Sequence, residues 1–159
     1  MDTNDILYDG KSLSYQGQTK SFPAVIDTGS SFIAVPPEEF TQLQGSWEKS
    51  IPNLDCKTDP TFCQVHSNCT EVAKKVKPVG FNIESTVFEL GPMAYLHQGD
   101  GICQFAIAKN PLNDLNNGNY LFGDLFLKHF YSIFDYDQEN ISLGINSHSQ
   151  GMVNMYQKG

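Results

Sequence analysis

Basic side chains are scarce in this chain. Ten Lys and Arg face eighteen Asp and Glu in 159 residues, a formal net charge of −8. That deficit argues against nucleic acid or an anionic membrane as the main partner, because both are bound through clustered cations. Long apolar runs are missing as well. No stretch approaches the roughly 18 consecutive apolar residues of a membrane-spanning helix. Met1-Asp2-Thr3-Asn4-Asp5 lacks both the basic segment and the apolar segment of an export signal. Charged residues are only 18% of the chain and apolar ones 40%, which is the profile of a folded domain. A single domain of this length buries roughly two thirds of its unfolded surface.

Several common reaction motifs are absent too. There is no G-x-x-x-x-G-K-[ST] for phosphate, no H-E-x-x-H for zinc and no G-x-S-x-G around a nucleophilic serine. Asp135-Tyr136-Asp137-Gln138-Glu139 begins like a calcium loop. It then places Asn140 where the loop needs Gly and Asn146 where it needs Glu, so it is expected to be a solvated hairpin turn. Neither a metal nor a cofactor is expected.

What is present points to an oxidising compartment. Cys56, Cys63, Cys69 and Cys103 allow three pairings. Their spacings, with His66, His97, His129 and His148 scattered, do not suit the short paired ligands of zinc. Reduced core thiols are an alternative, but two disulfides fit better. Cys56–Cys63 would close a short loop around Asp59-Pro60, and Cys69–Cys103 would tie distant segments. Loop-closure entropy makes the second the more stabilising, itself worth about 3–4 kcal/mol in the chain-entropy account. Asn68-Cys69-Thr70 and Asn140-Ile141-Ser142 match the N-glycosylation triplet. Together with the even cysteine count they favour the secretory pathway. Without an export signal, the chain is expected to be a piece of a longer precursor.

Turn residues punctuate short apolar runs along most of the sequence, which predicts a mostly β domain. Ile6-Leu7-Tyr8 and Ser12-Leu13-Ser14-Tyr15 flank Asp9-Gly10, a tight hairpin turn. Ala24-Val25-Ile26 and Phe32-Ile33-Ala34-Val35 read as strands. Pro36-Pro37-Glu38-Glu39 opens a helix, since proline and carboxylates suit its first turn. Phe40, Leu43 and Trp47 lie on one face of that helix, and it is predicted to end near Gly45 to Trp47. Residues 50–70 read as cystine-tied loop. A hairpin is predicted over Val79–Ile83 and Thr86–Leu90, with further strands at Tyr95–His97, Cys103–Ala108 and Tyr120–Gly123. Asn110–Asn119 is a polar loop. A short helix begins at Asp124, Tyr131–Asp135 pairs with Ile141–Ile145, and residues 146–159 read as a loose tail.

One constellation could carry chemistry: Val25-Ile26-Asp27-Thr28-Gly29-Ser30-Ser31. A carboxylate directly after a buried strand is costly to desolvate unless donors surround it. Thr28, Ser30 and Ser31 supply hydroxyls, and Gly29 lets the backbone turn tightly so that its amide can also reach the acid. An ordinary Asp-Thr-Gly turn capping a strand would look the same. A second segment separates the two readings. Leu121-Phe122-Gly123 follows another strand and runs into Asp124-Leu125-Phe126-Leu127-Lys128-His129-Phe130-Tyr131-Ser132-Ile133-Phe134-Asp135.

In combination these motifs resemble the carboxy-terminal lobe of the pepsin-like aspartic proteases, the pepsin and cathepsin D type. There, a hydrophobic-hydrophobic-Asp-Thr-Gly loop is threaded against a hydrophobic-hydrophobic-Gly segment, and a Gly-Asp-x-Phe…Tyr-x-x-Phe-Asp run closes the lobe. The opening hairpin, Pro92-Met93-Ala94-Tyr95 and the Cys69–Cys103 spacing also fit. The resemblance implies a single lobe with a double-psi-type β-barrel or sandwich and short helices, over residues 1–145, with 146–159 as a carboxy-terminal tail.

It further implies an aspartic endopeptidase in which Asp27 is one of two catalytic aspartates. Thr28 would bond across to the partner lobe, and Gly29 and Ser30 would steady the carboxylate and touch substrate backbone. Gly123 would support the loop, and Val25 and Leu121 would line a hydrophobic subsite. Ser30 departs from the Thr more usual in the second lobe, and the first lobe's flap has no counterpart here. The expected partners are an amino-terminal lobe carrying the second Asp and a polypeptide substrate, in a secreted, lysosomal or vacuolar setting. One Asp-Thr-Gly makes half a site, so the chain alone is expected to be inactive. Two alternatives remain: a symmetric homodimer, as in retroviral proteases, and a non-catalytic lobe that binds a peptide or partner.

Overall fold

The computed structural model describes residues 2–13, 22–26, 29–59, 61–83, 86–110, 120–135, 140–145 and 151–157. In chain order these form β1 (Asp2–Tyr8), β2 (Lys11–Ser12), β3 (Phe22–Ile26), β4 (Ile33–Val35), α1 (Pro37–Ser50), β5 (Gln64–Val65) and α2 (Cys69–Ala73). Next come β6 (Val79–Ile83), β7 (Thr86–Leu90), α3 (Pro92–Tyr95), β8 (Leu96–Gln98), β9 (Cys103–Phe105) and β10 (Ile107–Lys109). The chain continues through β11 (Tyr120–Phe122), α4 (Asp124–Leu127), β12 (Phe130–Asp135), β13 (Asn140–Ile145) and β14 (Val153–Gln157). The class is mostly β with short helices, as the turn punctuation predicts.

One large sheet carries the order β10-β4-β11-β3-β1-β6-β7-β14, with β2 hairpinned onto β1. The Asp9-Gly10 turn has φ of 56° and 75° at its two central residues, the left-handed pair that a two-residue hairpin requires and that Asp-Gly tolerates. Leu7 faces Ser12 and Tyr8 faces Lys11 across it. β6 and β7 form the expected hairpin, Val79 opposite Leu90 through Ile83 opposite Thr86. β12 pairs with β13, and β5, β9 and β8 make a small third sheet.

Two aromatic groups fill the interior. Trp47 of α1 is fully buried, stacking on Tyr95 at 5.8 Å and lying 4.6 Å from Phe105 between ring centroids. Phe81, Phe88, Phe122, Phe126 and Phe130 form the second, with Phe122–Phe126 at 4.6 Å and Phe126–Phe130 at 4.8 Å. Rings at these separations add about 0.5–1.5 kcal/mol per pair beyond their area burial.

Four expectations need correction. α1 does not stop near Gly45–Trp47 but runs to Ser50. Burying Trp47 against Tyr95 and Phe105 outweighs the roughly 1 kcal/mol cost of an internal glycine. The 50–70 stretch is not all loop. β5 pairs with β9 within it, and α2 starts at Cys69 with Asn68 as its cap. The 103–108 strand divides at Ala106. That residue donates its amide to the Tyr95 carbonyl and accepts from Ile33 N–H, so the chain passes from one sheet to another. Residues 153–157 are not loose tail, because β14 pairs with β7 along its whole length, Val153 opposite Leu90 and Gln157 opposite Thr86.

Both disulfides are formed, Cys56–Cys63 and Cys69–Cys103, the pairing the spacings favour.

Candidate functional site

The acid-bearing loop lies between β3 and β4, and its two strands are held apart by a third. β11 runs parallel to β3, with Leu121 beside Val25 and Phe122 beside Ile26. It runs antiparallel to β4, with Leu121 beside Ala34 and Phe122 beside Ile33. Residues 29–32, the described part of the connection from β3 to β4, lie at the end of β11. Three strands in a ψ arrangement fix both flanks of the turn.

The C-terminal end of β11 completes the clamp. Gly123 N–H donates to the Phe32 carbonyl at 3.1 Å, and Asp124 N–H donates to the Ser30 carbonyl at 2.7 Å. A methyl group at Gly123 would lie 2.5 Å from the Phe32 carbonyl oxygen and closer still to that of Ser30. Only hydrogen fits there. From Gly123, α4 sets off at once, and Phe126 and Leu127 donate their amides back to the Gly123 carbonyl. Leu125 and Phe126 are buried, so the clamp is anchored in the second aromatic group.

Asp27 and Thr28 lie outside the described residues. Gly29 is exposed and Ser30 half-buried, at the end of the loop that Asp124 holds. Val25 is 38% exposed, high for an apolar strand residue. Its register partner Leu121 is half-buried. Parallel partners in register point to the same face, so the two form an apolar patch two residues before Asp27. Gly123, Ser30, Gly29, Val25 and Leu121 are thus gathered around the same turn.

A cleft of about 390 Å³ opens beside this turn, lined by Ser31, Phe32, Phe62, Met93, Leu125 and Lys128 among others. Phe32 and Phe62 meet edge to face at 5.1 Å, and Met93 is 49% exposed. The sequence gives no local signal for it, because its walls come from separate stretches of chain. At the start of β11, burial holds the Tyr120 phenol well above its ordinary range, with Glu39 and then Asp5 adding to the shift. It is therefore a neutral hydroxyl at any working pH. Among the described residues, no three His, Cys, Asp or Glu side chains converge as a metal site would require.

Comparison with known proteins agrees with this geometry. The family model described as eukaryotic aspartyl protease matches residues 1–145. Over 147 residues the chain is 26% identical to a probable aspartic-type endopeptidase CTSD of Arthroderma otae, covering 92% of this chain and 35% of that protein. It is 28% identical over 121 residues to cathepsin E-B of Xenopus laevis, covering 76% and 28%. Against pepsin A of Gallus gallus it is 26% identical over 120 residues, covering 76% and 29%. The chain therefore spans about a third or less of the length of these relatives. Among solved structures, the aspartic proteinase from Irpex lacteus superimposes with a TM-score of 0.72 at 16% identity, covering 96% of this chain and 44% of that one.

Proposed function

Because the chain belongs to the eukaryotic aspartyl protease family, we propose that it supplies one of the two carboxylates, Asp27, of an acid peptidase. Residues 1–145 act as the carboxy-terminal lobe, and the second aspartate comes from an amino-terminal lobe. The observation that carries this reading is the seating of Gly123 on the Ser30 and Phe32 carbonyls. A loop clamped so tightly is what a catalytic acid needs, since its position must not wander during the reaction.

The chemistry follows from two carboxylates held within a few ångströms. Both cannot ionise at that distance, so they share one proton. The ionised one takes a proton from a bound water, while the protonated one polarises the carbonyl of the peptide bond. Gly29 and Ser30 steady the carboxylate and contact the substrate backbone. Val25 and Leu121 receive an apolar side chain beside the cleaved bond, which their exposure and shared face support. Thr28 links the lobe to its partner. A secreted, lysosomal or vacuolar setting agrees with the two disulfides.

The test is reconstitution. The chain alone, assayed on a denatured protein at acid pH, should cut little or nothing. Mixed with an amino-terminal lobe bearing its own Asp-Thr-Gly, it should yield pepstatin-sensitive cleavage that Asp27→Asn removes. Activity of the chain alone, lost in Asp27→Asn and rising with the square of concentration, would instead establish a symmetric dimer. Binding of peptide by the assembled lobes without any cleavage would overturn the enzyme reading.

A further inference from the structure

We propose that Asn68 carries an N-linked oligosaccharide, and that its transfer must precede closure of the Cys69–Cys103 disulfide. The triplet Asn68-Cys69-Thr70 is not on a free loop. It is the start of α2, and each of its residues is engaged.

Asn68 Oδ1 accepts the Thr70 amide at 2.7 Å. The Asn68 carbonyl accepts Glu71 N–H at 3.0 Å and Val72 N–H at 3.1 Å. The Cys69 amide donates to Gln98 Oε1 at 2.7 Å, and Gln98 Nε2 in turn donates to the Gly99 carbonyl at 2.7 Å. Cys69 itself is buried and bonded to Cys103 of β9, which is buried completely. Presenting this triplet to a transferase would require opening the helix cap, the Gln98 contact and a covalent link together. A segment tied in this way opens only with much of the domain. A chain that has closed this bond is therefore no longer a substrate.

The finished product is nevertheless compatible with the fold. Transfer forms a bond from Asn68 Nδ2 to the anomeric carbon of a lipid-diphosphate-linked oligosaccharide. The carbon–oxygen bond to the diphosphate breaks, the lipid diphosphate leaves with the electron pair, and the amide gives up one proton. Oδ1, the atom that caps α2, takes no part and keeps its lone pairs. Among the described residues, Asn68 Nδ2 donates no hydrogen bond that the sugar would displace, and Asn68 and Thr70 are both exposed. The glycan can thus leave for solvent without unmaking the cap. The inference rests on the secretory setting and is independent of whether the chain cleaves peptides.

Two arms test it. The 159-residue chain is directed into the secretory pathway of a eukaryotic cell behind a cleavable leader. Its glycans are then released by peptide N-glycosidase in heavy-oxygen water, which marks the occupied asparagine. Asn68 should be marked, occupancy should rise in Cys103→Ser, and Asn68→Asp should lose the mark while keeping the thermal midpoint, since Asp caps equally well. In the second arm, oligosaccharyltransferase and lipid-linked oligosaccharide are offered to the unglycosylated chain, either reduced and unfolded or oxidised and folded. Only the reduced chain should gain mass at Asn68. An unmarked Asn68 in both the secreted chain and Cys103→Ser would overturn the site. Equal modification of the oxidised and reduced chains would overturn the order.

Discussion

The Asp124 amide is bound to the Ser30 carbonyl at 2.7 Å, which ties the residue three positions after Asp27 to the turn that follows β11. Gly123 lies against that same carbonyl with no room for a side chain. Gly123→Ala should therefore push the two segments apart. The expected loss is about 1–3 kcal/mol, the range for overpacking a tight contact, read as a lower urea midpoint. In the reconstituted peptidase the same variant should lower kcat/KM, because on the proposed reading Ser30 belongs to the loop that carries the acid and touches the substrate backbone.

Asp27→Asn should leave the fold nearly as stable as before while lowering cleavage by the reconstituted enzyme about 10³-fold or more, the upper part of the range for losing an acid–base group. Circular dichroism and a turnover assay on the same preparation separate these effects. A variant that lost both together would mean that Asp27 is a structural cap.

The two disulfides should differ in worth. Cys69–Cys103 spans 34 positions and Cys56–Cys63 spans 7. The chain-entropy relation makes the longer loop worth about 1.4 kcal/mol more. Paired serine substitutions at 69 and 103 should thus depress the denaturation midpoint further than the pair at 56 and 63.

Asp55 gives a pH-dependent prediction. Its Oδ1 accepts the amides of Lys57 at 2.9 Å and Thr58 at 3.0 Å. The Thr58 side chain and then these amides lower its pKa from 3.8 to about 2. A carboxylate with a depressed folded-state pKa stabilises the fold above the unfolded value and loses that contribution as pH falls through the folded one. The contribution is therefore intact above 3.8 and fades toward about 2. Asp55→Asn should flatten the fall in thermal midpoint across that window and leave its slope near neutrality unchanged.

Trp47→Ala should be severe. The ring is completely buried and meets Phe40, Tyr95 and Phe105. Truncation is expected to cost about 3–5 kcal/mol, measurable by chemical denaturation.

Local chemistry made much of this legible in the sequence. Asp9-Gly10, Pro36-Pro37 and the two adjacent runs at 79–83 and 86–90 each declare their geometry within a few positions. The strands on either side of Asp27, and the segment that holds them, could be named because the residues at 24–26 and 121–123 form short apolar runs against turn residues. What could not be read depends on partners distant in the chain. The end of α1 is decided by Tyr95 and Phe105 beneath Trp47. The break at Ala106 is decided by Tyr95 and Ile33, and the cleft beside Phe32 by Phe62, Met93 and Leu125. β14 was missed for the same reason. Val153-Asn154-Met155-Tyr156-Gln157 has a weak pattern of its own, and it becomes a strand because β7 offers an open row of amides and carbonyls.

That last pairing protects the molecule from itself. β14 lies beyond the residues matched by the family model, yet it occupies the outer edge of β7, and Gly91 N–H is satisfied by the Met152 carbonyl at 2.8 Å. A chain trimmed after residue 145 would present Phe88 and Leu90 on a bare β7 rim, a template for a second molecule. Such a trimmed form should be harder to keep in solution than the whole chain, whatever its catalytic state.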